Sequence, residues 1–204
     1  MYSIENKVLN KIYGRGRGWV FSQIDFATLG NRSAIDVAFH RLVDKGTIRR
    51  VSRGIYDYPV YSDLLGKYLS PDIDKVSQAI ARKFNWRIQP SGPTALNMLG
   101  LSTQVPSKYV YLSDGPSKVF IAGKTPIRFK TTKLKDVGFK HHESASIVSA
   151  FRSLGRDRLT PDVIDHTRKW LNPEIRSRVL KDTAKATGWI YSGIRNVCLE
   201  SSNV

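Results

Sequence analysis

The chain's 204 residues include 33 Lys and Arg against 17 Asp and Glu, giving a net charge of +16 and a pI near 10.1. No apolar run approaches the roughly 18–20 residues of a membrane span, the N-terminus lacks the layout of a signal peptide, and a single cysteine, Cys198, excludes an internal disulfide and argues against a thiolate zinc site. The balance fits a cytoplasmic protein with a polyanionic partner, nucleic acid ahead of an anionic membrane surface, because neutralising phosphates releases counterions; the plainer alternative is a solvated basic surface without a partner.

Ser3 is placed to cap a helix running to about Tyr13, with Ile4, Val8 and Ile12 on one face. Gly14-Arg15-Gly16-Arg17-Gly18 breaks it. This glycine run lacks the G-K-[ST] ending of a phosphate loop and the spacing of a dinucleotide fingerprint, so a turn carrying two arginines is expected. Trp19, Val20 and Phe21 follow as an apolar anchor.

Ser22-Gln23-Ile24-Asp25 has the form of a capped helix start, with Asp25 reaching back, and predicts a short helix ending near Gly30. Ser33-Ala34-Ile35-Asp36 repeats the signal, and its helix runs to about Lys45 before Gly46. Ile35, Ala38, Phe39 and Leu42 lie at i, i+3, i+4 and i+7 and face inward, which leaves Arg32, Asp36, Val37, His40 and Arg41 outside. Two short capped helices around a tight turn make a helix-turn-helix. Thr47–Val51 and Ile55–Tyr58 then read as strands turned by Ser52-Arg53-Gly54, the wing of a winged helix.

Reading duplex DNA requires side chains near the start of the second helix to meet base edges in the major groove. Arg32, Ser33, Val37 and His40 are the expected base readers. Arg15, Arg17, Arg41, Arg49, Arg50 and Arg53 suit phosphate and wing contacts. Winged helices also serve as protein-binding modules, but the 10 basic and 5 acidic residues of positions 1–60 favour DNA.

Residues 59–70 read as a connector, and Ser70-Pro71-Asp72 as the start of a helix bearing Ile73, Val76, Ile80 and Phe84. Arg87–Gln89 is a possible short strand, and Pro90-Ser91-Gly92-Pro93 opens a helix through Leu96 and Leu99 to Gly100. Strands are expected at 109–112, 118–121 and 127–130, with turns between them. From about His141 the pattern is helical, with cap-plus-proline starts at Thr160-Pro161 and Asn172-Pro173. The expected fold is α+β: a winged helix-turn-helix domain at 1–60 and a mixed α+β domain at 70–204 ending in helices. Residues 118–195 hold 17 basic and 7 acidic residues, so the second domain is also basic.

The segments Ile48-Arg49-Arg50-Val51-Ser52-Arg53-Gly54-Ile55-Tyr56, Pro90-Ser91-Gly92-Pro93-Thr94-Ala95-Leu96-Asn97-Met98-Leu99-Gly100-Leu101-Ser102-Thr103-Gln104-Val105-Pro106 and Tyr109–Gly115 resemble, in order and spacing, the AbiEi family of antitoxins from type IV toxin–antitoxin (abortive infection, phage defence) systems. The likeness covers roughly residues 3–135. It implies a winged helix that binds inverted repeats at its own promoter and represses the operon, and a C-terminal domain that counters a nucleotidyltransferase-like toxin. Read from the residues alone, the Pro90–Pro106 segment is scaffold.

Neither an active site nor a cofactor site is expected. His141-His142-Glu143 is the one dense group of metal-ligand types, but adjacent helical histidines point about 100° apart and do not easily share an ion. A nucleotidyltransferase pattern of Gly-Ser followed by Asp-x-Asp is missing, so the chain is not itself the toxin, and Ser113-Asp114-Gly115 reads as a turn. The alternative to a repressor-antitoxin is a ligand-responsive transcription factor whose α+β domain senses a small molecule. An RNA-binding module is disfavoured by the lack of an aromatic-glycine strand motif.

Overall fold

The computed structural model of the chain describes residues 3–104, 108–133 and 138–199, an α+β fold that divides into two units. Unit 1 is Met1–Trp86 with Phe120–Ile127, and unit 2 is Arg87–Val119 with Arg128–Val204.

Unit 1 opens with α1 (Ile4–Arg15). Ser3 accepts a hydrogen bond from the Asn6 N–H at 3.2 Å, Val8 and Ile12 are buried, and the helix continues two residues past Tyr13 to stop at Gly16, whose φ is +81°. Val20–Phe21, expected only as an anchor, forms β1. The short helix expected to reach Gly30 is instead a 3-10 turn, Gln23–Phe26. Asp25 does reach back, accepting from the Ser22 N–H at 2.8 Å, but the chain leaves the turn at once. It passes Ile4 so closely that a Cβ on Gly30 would lie 2.6 Å from the Ile4 Cδ1.

The second helix, α2 (Arg32–Asp44), begins earlier than expected. Asn31 rather than Ser33 is the cap, its carboxamide oxygen accepting from the Ala34 N–H at 2.8 Å. Ser33 therefore sits within the first helical turn. Ile35, Ala38, Phe39 and Leu42 are buried as their spacing requires. At the far end Gly46 takes φ +67°, and the Gly46 and Thr47 N–H groups, at 2.9 Å each, satisfy the carbonyls of Val43 and Leu42.

β2 (Arg49–Ser52) and β3 (Ile55–Asp57) pair antiparallel around Arg53-Gly54, where Gly54 has φ +69°. β1 pairs with the other side of β3, giving the order β1-β3-β2. This α1, β1, turn, α2, β2, β3 sequence is a winged helix. Its core is aromatic: Phe39 meets Phe21, Phe26 and Tyr56 with ring centroids 5.5, 5.2 and 4.8 Å away. Edge-to-face contacts of this kind fix ring orientation beyond what area burial requires.

Two further elements correct the sequence reading. The connector contains a hairpin, β4 (Tyr61–Ser62) with β5 (Lys67–Tyr68). The helix after it, α3 (Ile73–Phe84), is capped by Asp72 and not Ser70. α3 belongs to unit 1: Val76, Ala79 and Ile80 are buried, and the helix packs on β1, the 3-10 turn and β3. Arg82 pins its C-terminal end, donating to Asp25 Oδ1 and to the Val20 carbonyl at 2.9 Å each. The boundary expected near residue 70 thus falls after Trp86, because α3 has no independent core to join.

Unit 2 holds β6 (Ile88–Pro90), α4 (Gly92–Met98) and β7 (Tyr109–Ser113). β8 (Lys118–Ala122) and β9 (Thr125–Thr131), whose stretch Phe120–Ile127 falls in unit 1, belong to a four-stranded sheet of order β6-β7-β9-β8. α5 (His142–Leu154) is its central helix, with Ile147, Val148, Ala150 and Phe151 buried. α4 approaches α5 so closely that a Cβ on Gly92 would lie 2.5 Å from Ser153 Cβ. α6 (Pro161–Trp170), α7 (Arg176–Asp182) and α8 (Gly188–Cys198) follow, with Ile164, Val179, Ile190, Ile194 and Val197 joining the same core. Thr94, Ala95 and Leu99 of the Pro90–Pro106 segment are buried, and Thr94 Oγ1 accepts from the Val110 N–H at 2.9 Å. Val105 and Pro106 lie outside the described residues. No helix among the described residues is long and apolar enough to cross a membrane.

Candidate nucleic-acid interface

The first turn of α2 leaves backbone N–H groups unpaired, and only one of them is taken by Asn31, so this end carries partial positive charge. Arg32, Ser33, Val37 and His40 are all exposed on the side away from the Phe39 core. Val37 is 47% exposed and offers an apolar group of the kind that meets a thymine methyl. The Arg32 Nε donates to Gln23 Oε1 at 3.1 Å, a solvent-exposed contact with the 3-10 turn.

Arg41, one turn further on, is exposed but linked to Glu5 at 3.4 Å, and Lys45 bonds the same carboxylate at 2.6 Å. The Lys45 hydrogen bond holds the Glu5 carboxyl below its ordinary range, against a smaller opposing effect of burial, and Arg41 adds to the lowering.

The expected phosphate-contacting arginines separate into two groups. Arg50 and Arg53 are exposed on the wing. Arg50 lies close enough to Tyr56 to oppose the rise that burial imposes on its hydroxyl, while Asp36 of α2 adds to that rise. Arg49 is different. Its Nε and Nη2 donate to the two carboxylate oxygens of Asp57 at 3.1 and 2.6 Å, and Nη2 also donates to the Leu69 carbonyl at 3.0 Å. It is tied into the fold, a half-buried guanidinium facing a buried acid.

Arg15 and Arg17 are exposed and each lies against an aromatic ring. Arg15 lies over Trp19 with its guanidinium 5.8 Å from the ring centroid. Arg17 donates to the Pro59 carbonyl at 2.9 Å and lies 4.6 Å from the Tyr58 centroid.

Lys83 and Gln23 are the residues the sequence reading missed. Lys83 donates to the Arg53 carbonyl at 2.9 Å and lines, with Gln23, Ile24 and Arg32, a groove of about 310 Å³ between the 3-10 turn and α2. The signal for Lys83 was its position at the end of an amphipathic helix; assigning that helix to the second domain hid it.

In unit 2, the His141 and Lys140 N–H groups donate to Asp182 at 3.0 and 3.1 Å, so the start of α5 is tied to the end of α7. Among the described residues no group of three His, Cys, Asp or Glu side chains could hold a metal ion. Cys198 is half-buried, and burial pushes its thiol up, with Arg176 opposing.

No curated protein matches the chain. Among solved structures, the crystal structure of the RV2827C protein from Mycobacterium tuberculosis is similar at 12% sequence identity and a TM-score of 0.44, over 96% of this chain and 76% of that one. The family profile that matches spans residues 7–179, the winged helix, α3 and most of unit 2 together, and on that extent the chain belongs to DUF6088, a family of unknown function.

Proposed function

We propose that the chain is a DNA-binding transcriptional repressor that acts as the antitoxin of a type IV toxin–antitoxin system. The observation that carries DNA binding is the pairing, within one unit, of an exposed outer face on α2 with an exposed basic wing. α2 enters the major groove, where Arg32, Ser33, Val37 and His40 meet base edges. Arg50 and Arg53 neutralise phosphates on the flanking strand. The partner is duplex DNA, expected as inverted repeats upstream of the chain's own gene. The antitoxin part rests on the sequence resemblance to the AbiEi family, which implies a nucleotidyltransferase-like toxin as the counterpart. The chain is a binding protein in this reading and needs no cofactor.

The test is an anisotropy titration against duplex DNA from upstream of the gene, with a random duplex alongside at two salt concentrations. Tight binding to the upstream DNA alone supports the repressor. Equal, salt-erased binding to both reduces the interaction to net charge and rejects sequence-specific reading. Co-expression with the neighbouring gene's product tests the antitoxin: rescue of growth supports it, and unchanged toxicity, or no toxicity to rescue, removes it.

A further inference from the structure

We infer that the β4–β5 hairpin is a self-association element, whose apolar tip pairs with the same hairpin of a second copy of the chain and so joins two winged helices. The contact rests on the hairpin itself; its use on inverted repeats rests on the DNA-binding reading above.

The hairpin presents apolar side chains to solvent. Leu64 is 95% exposed and Leu65 56%, and Tyr61, Tyr68 and Leu69 are exposed beside them. Single exposed apolar residues are ordinary on a surface, but five within nine positions form a patch of the kind that marks an interaction site. Local bonding holds the tip in this form. Tyr61 and Tyr68 are partners across the strands, with ring centroids 5.2 Å apart. The Gly66 N–H donates to the Asp63 carbonyl and the Leu65 N–H to Ser62 Oγ, at 3.3 Å each, with Gly66 at φ +59°. The base is tied to the winged helix on both arms: Arg17 donates to the Pro59 carbonyl at 2.9 Å and Arg49 to the Leu69 carbonyl at 3.0 Å.

Charge selects the occupant. At a net +16, copies of the chain repel one another over most of their surface. The segment Pro59–Leu69 carries one acid, Asp63, and one base, Lys67, so it is neutral. Two copies can meet there without opposing like charges, whereas a polyanion or an anionic lipid surface gains little from it. Asp63 stands before the turn and Lys67 after it. A two-fold axis along the hairpin lays the β4 arm of one copy over the β5 arm of the other, which brings each Asp63 to Lys67 of the second copy and sets the leucines between them. Such self-complementarity is what an isologous contact requires. Eleven residues are few beside the roughly 20–30 a side of a standard interface, so the pairing is weak in free solution and is reinforced when two copies share one duplex. A two-fold pair of reading helices matches inverted half-sites.

The experiment is sedimentation velocity of the full, nuclease-treated chain without DNA, over a concentration series at low and high salt. Wild type is compared with the double variant Leu64→Ser, Leu65→Ser, with Asp63→Lys, with Lys67→Asp, and with an equal mixture of the last two. Wild type is expected to pass from monomer to dimer with concentration, and to do so also at high salt, where bridging by residual nucleic acid is lost. The double serine variant should raise the dimer Kd about tenfold or more, the loss of about one leucine's burial, at an unchanged thermal midpoint. Asp63→Lys and Lys67→Asp should each stay monomeric over the same range, and their mixture should dimerise, because every acid then meets a base across the axis. A wild type that is monomeric throughout overturns the contact, as does a dimer that the hairpin variants leave unchanged or a mixture that stays monomeric. Monomeric wild type that binds phosphatidylcholine–phosphatidylglycerol vesicles through the two leucines assigns the hairpin to a lipid surface and overturns it too. Dimerisation with the expected signatures but no preference for the upstream duplex leaves the contact standing and rejects the repressor. Upstream-specific binding by a chain that does not dimerise does the reverse.

Discussion

Arg49 and Asp57 face each other across the wing strands, in register, joined by hydrogen bonds of 3.1 and 2.6 Å, with Asp57 only 2% exposed. The pair makes Arg49 part of the architecture and leaves Arg50, its neighbour, to face solvent. Arg49→Ala strands a buried carboxylate. Breaking a fully buried pair costs about 3–5 kcal/mol; with Arg49 itself 36% exposed, a loss of about 2–3 kcal/mol is expected in urea unfolding. Arg50→Ala should leave stability within about 0.5 kcal/mol and weaken DNA binding. Equal stability losses for the two variants would reject the division of labour.

Arg32→Ala is expected to cost about 1–3 kcal/mol of binding on the upstream duplex and to relax preference at one base position. Gln23→Ala should reproduce part of that relaxation with smaller loss, since it removes the 3.1 Å contact to the guanidinium but not the charge. Binding titrations against a duplex panel substituted one base pair at a time supply the measurement. Equal loss on every duplex for Arg32→Ala would move it from the base readers to the phosphate contacts.

Glu5 restrains two cations, Arg41 and Lys45, on the outer side of α2. Glu5→Gln releases them. Binding to random duplex should tighten, and the salt slope should steepen by about one unit for each released cation that meets a phosphate. Arg53→Ala should act in the opposite direction, flattening the slope by about one unit on all sequences alike. A slope that ignores both changes would place this side of unit 1 away from the DNA.

The parts of unit 1 that local chemistry decides were legible in the sequence. Ser3 caps α1, Gly46 ends α2, and Gly54 turns the wing, each because one residue's side chain or backbone freedom suffices. The inward set of α2 followed from spacing alone. The start of α2 was misplaced because Asn31 and Ser33 are both competent caps two residues apart, and tertiary contact at Gly30 chooses between them. The assignment of α3 failed for a different reason. Its cap and stripe specify a helix, but nothing in them says which sheet the stripe will cover. Arg49 was hidden among like charges, although Asp57, the lone acid between positions 45 and 62, lay opposite it in register and offered a cross-strand partner.

In unit 2 the link between Asp182 and the start of α5 predicts an acid-sensitive fold. Burial acts to raise the Asp182 carboxyl, but the His141 and Lys140 N–H groups, the Ser144 hydroxyl and the charge of His141 together outweigh it, and the pKa falls below the ordinary aspartate value. A carboxyl whose folded pKa is depressed contributes stability that is present above its unfolded pKa, about 3.9, and is lost as pH falls through the folded value. Asp182→Asn removes the charge and one of the two oxygen acceptors that the N–H groups use, which lie 3.1 and 3.0 Å away. The expected destabilisation at pH 7 is about 1–2 kcal/mol. Urea unfolding of wild type and Asp182→Asn should show that gap between about pH 5 and 7, and the gap should narrow below about pH 4 as the wild-type carboxylate takes up its proton. A gap independent of pH would mean that side-chain packing, and not the charged hydrogen bonds to the start of α5, accounts for the residue's effect.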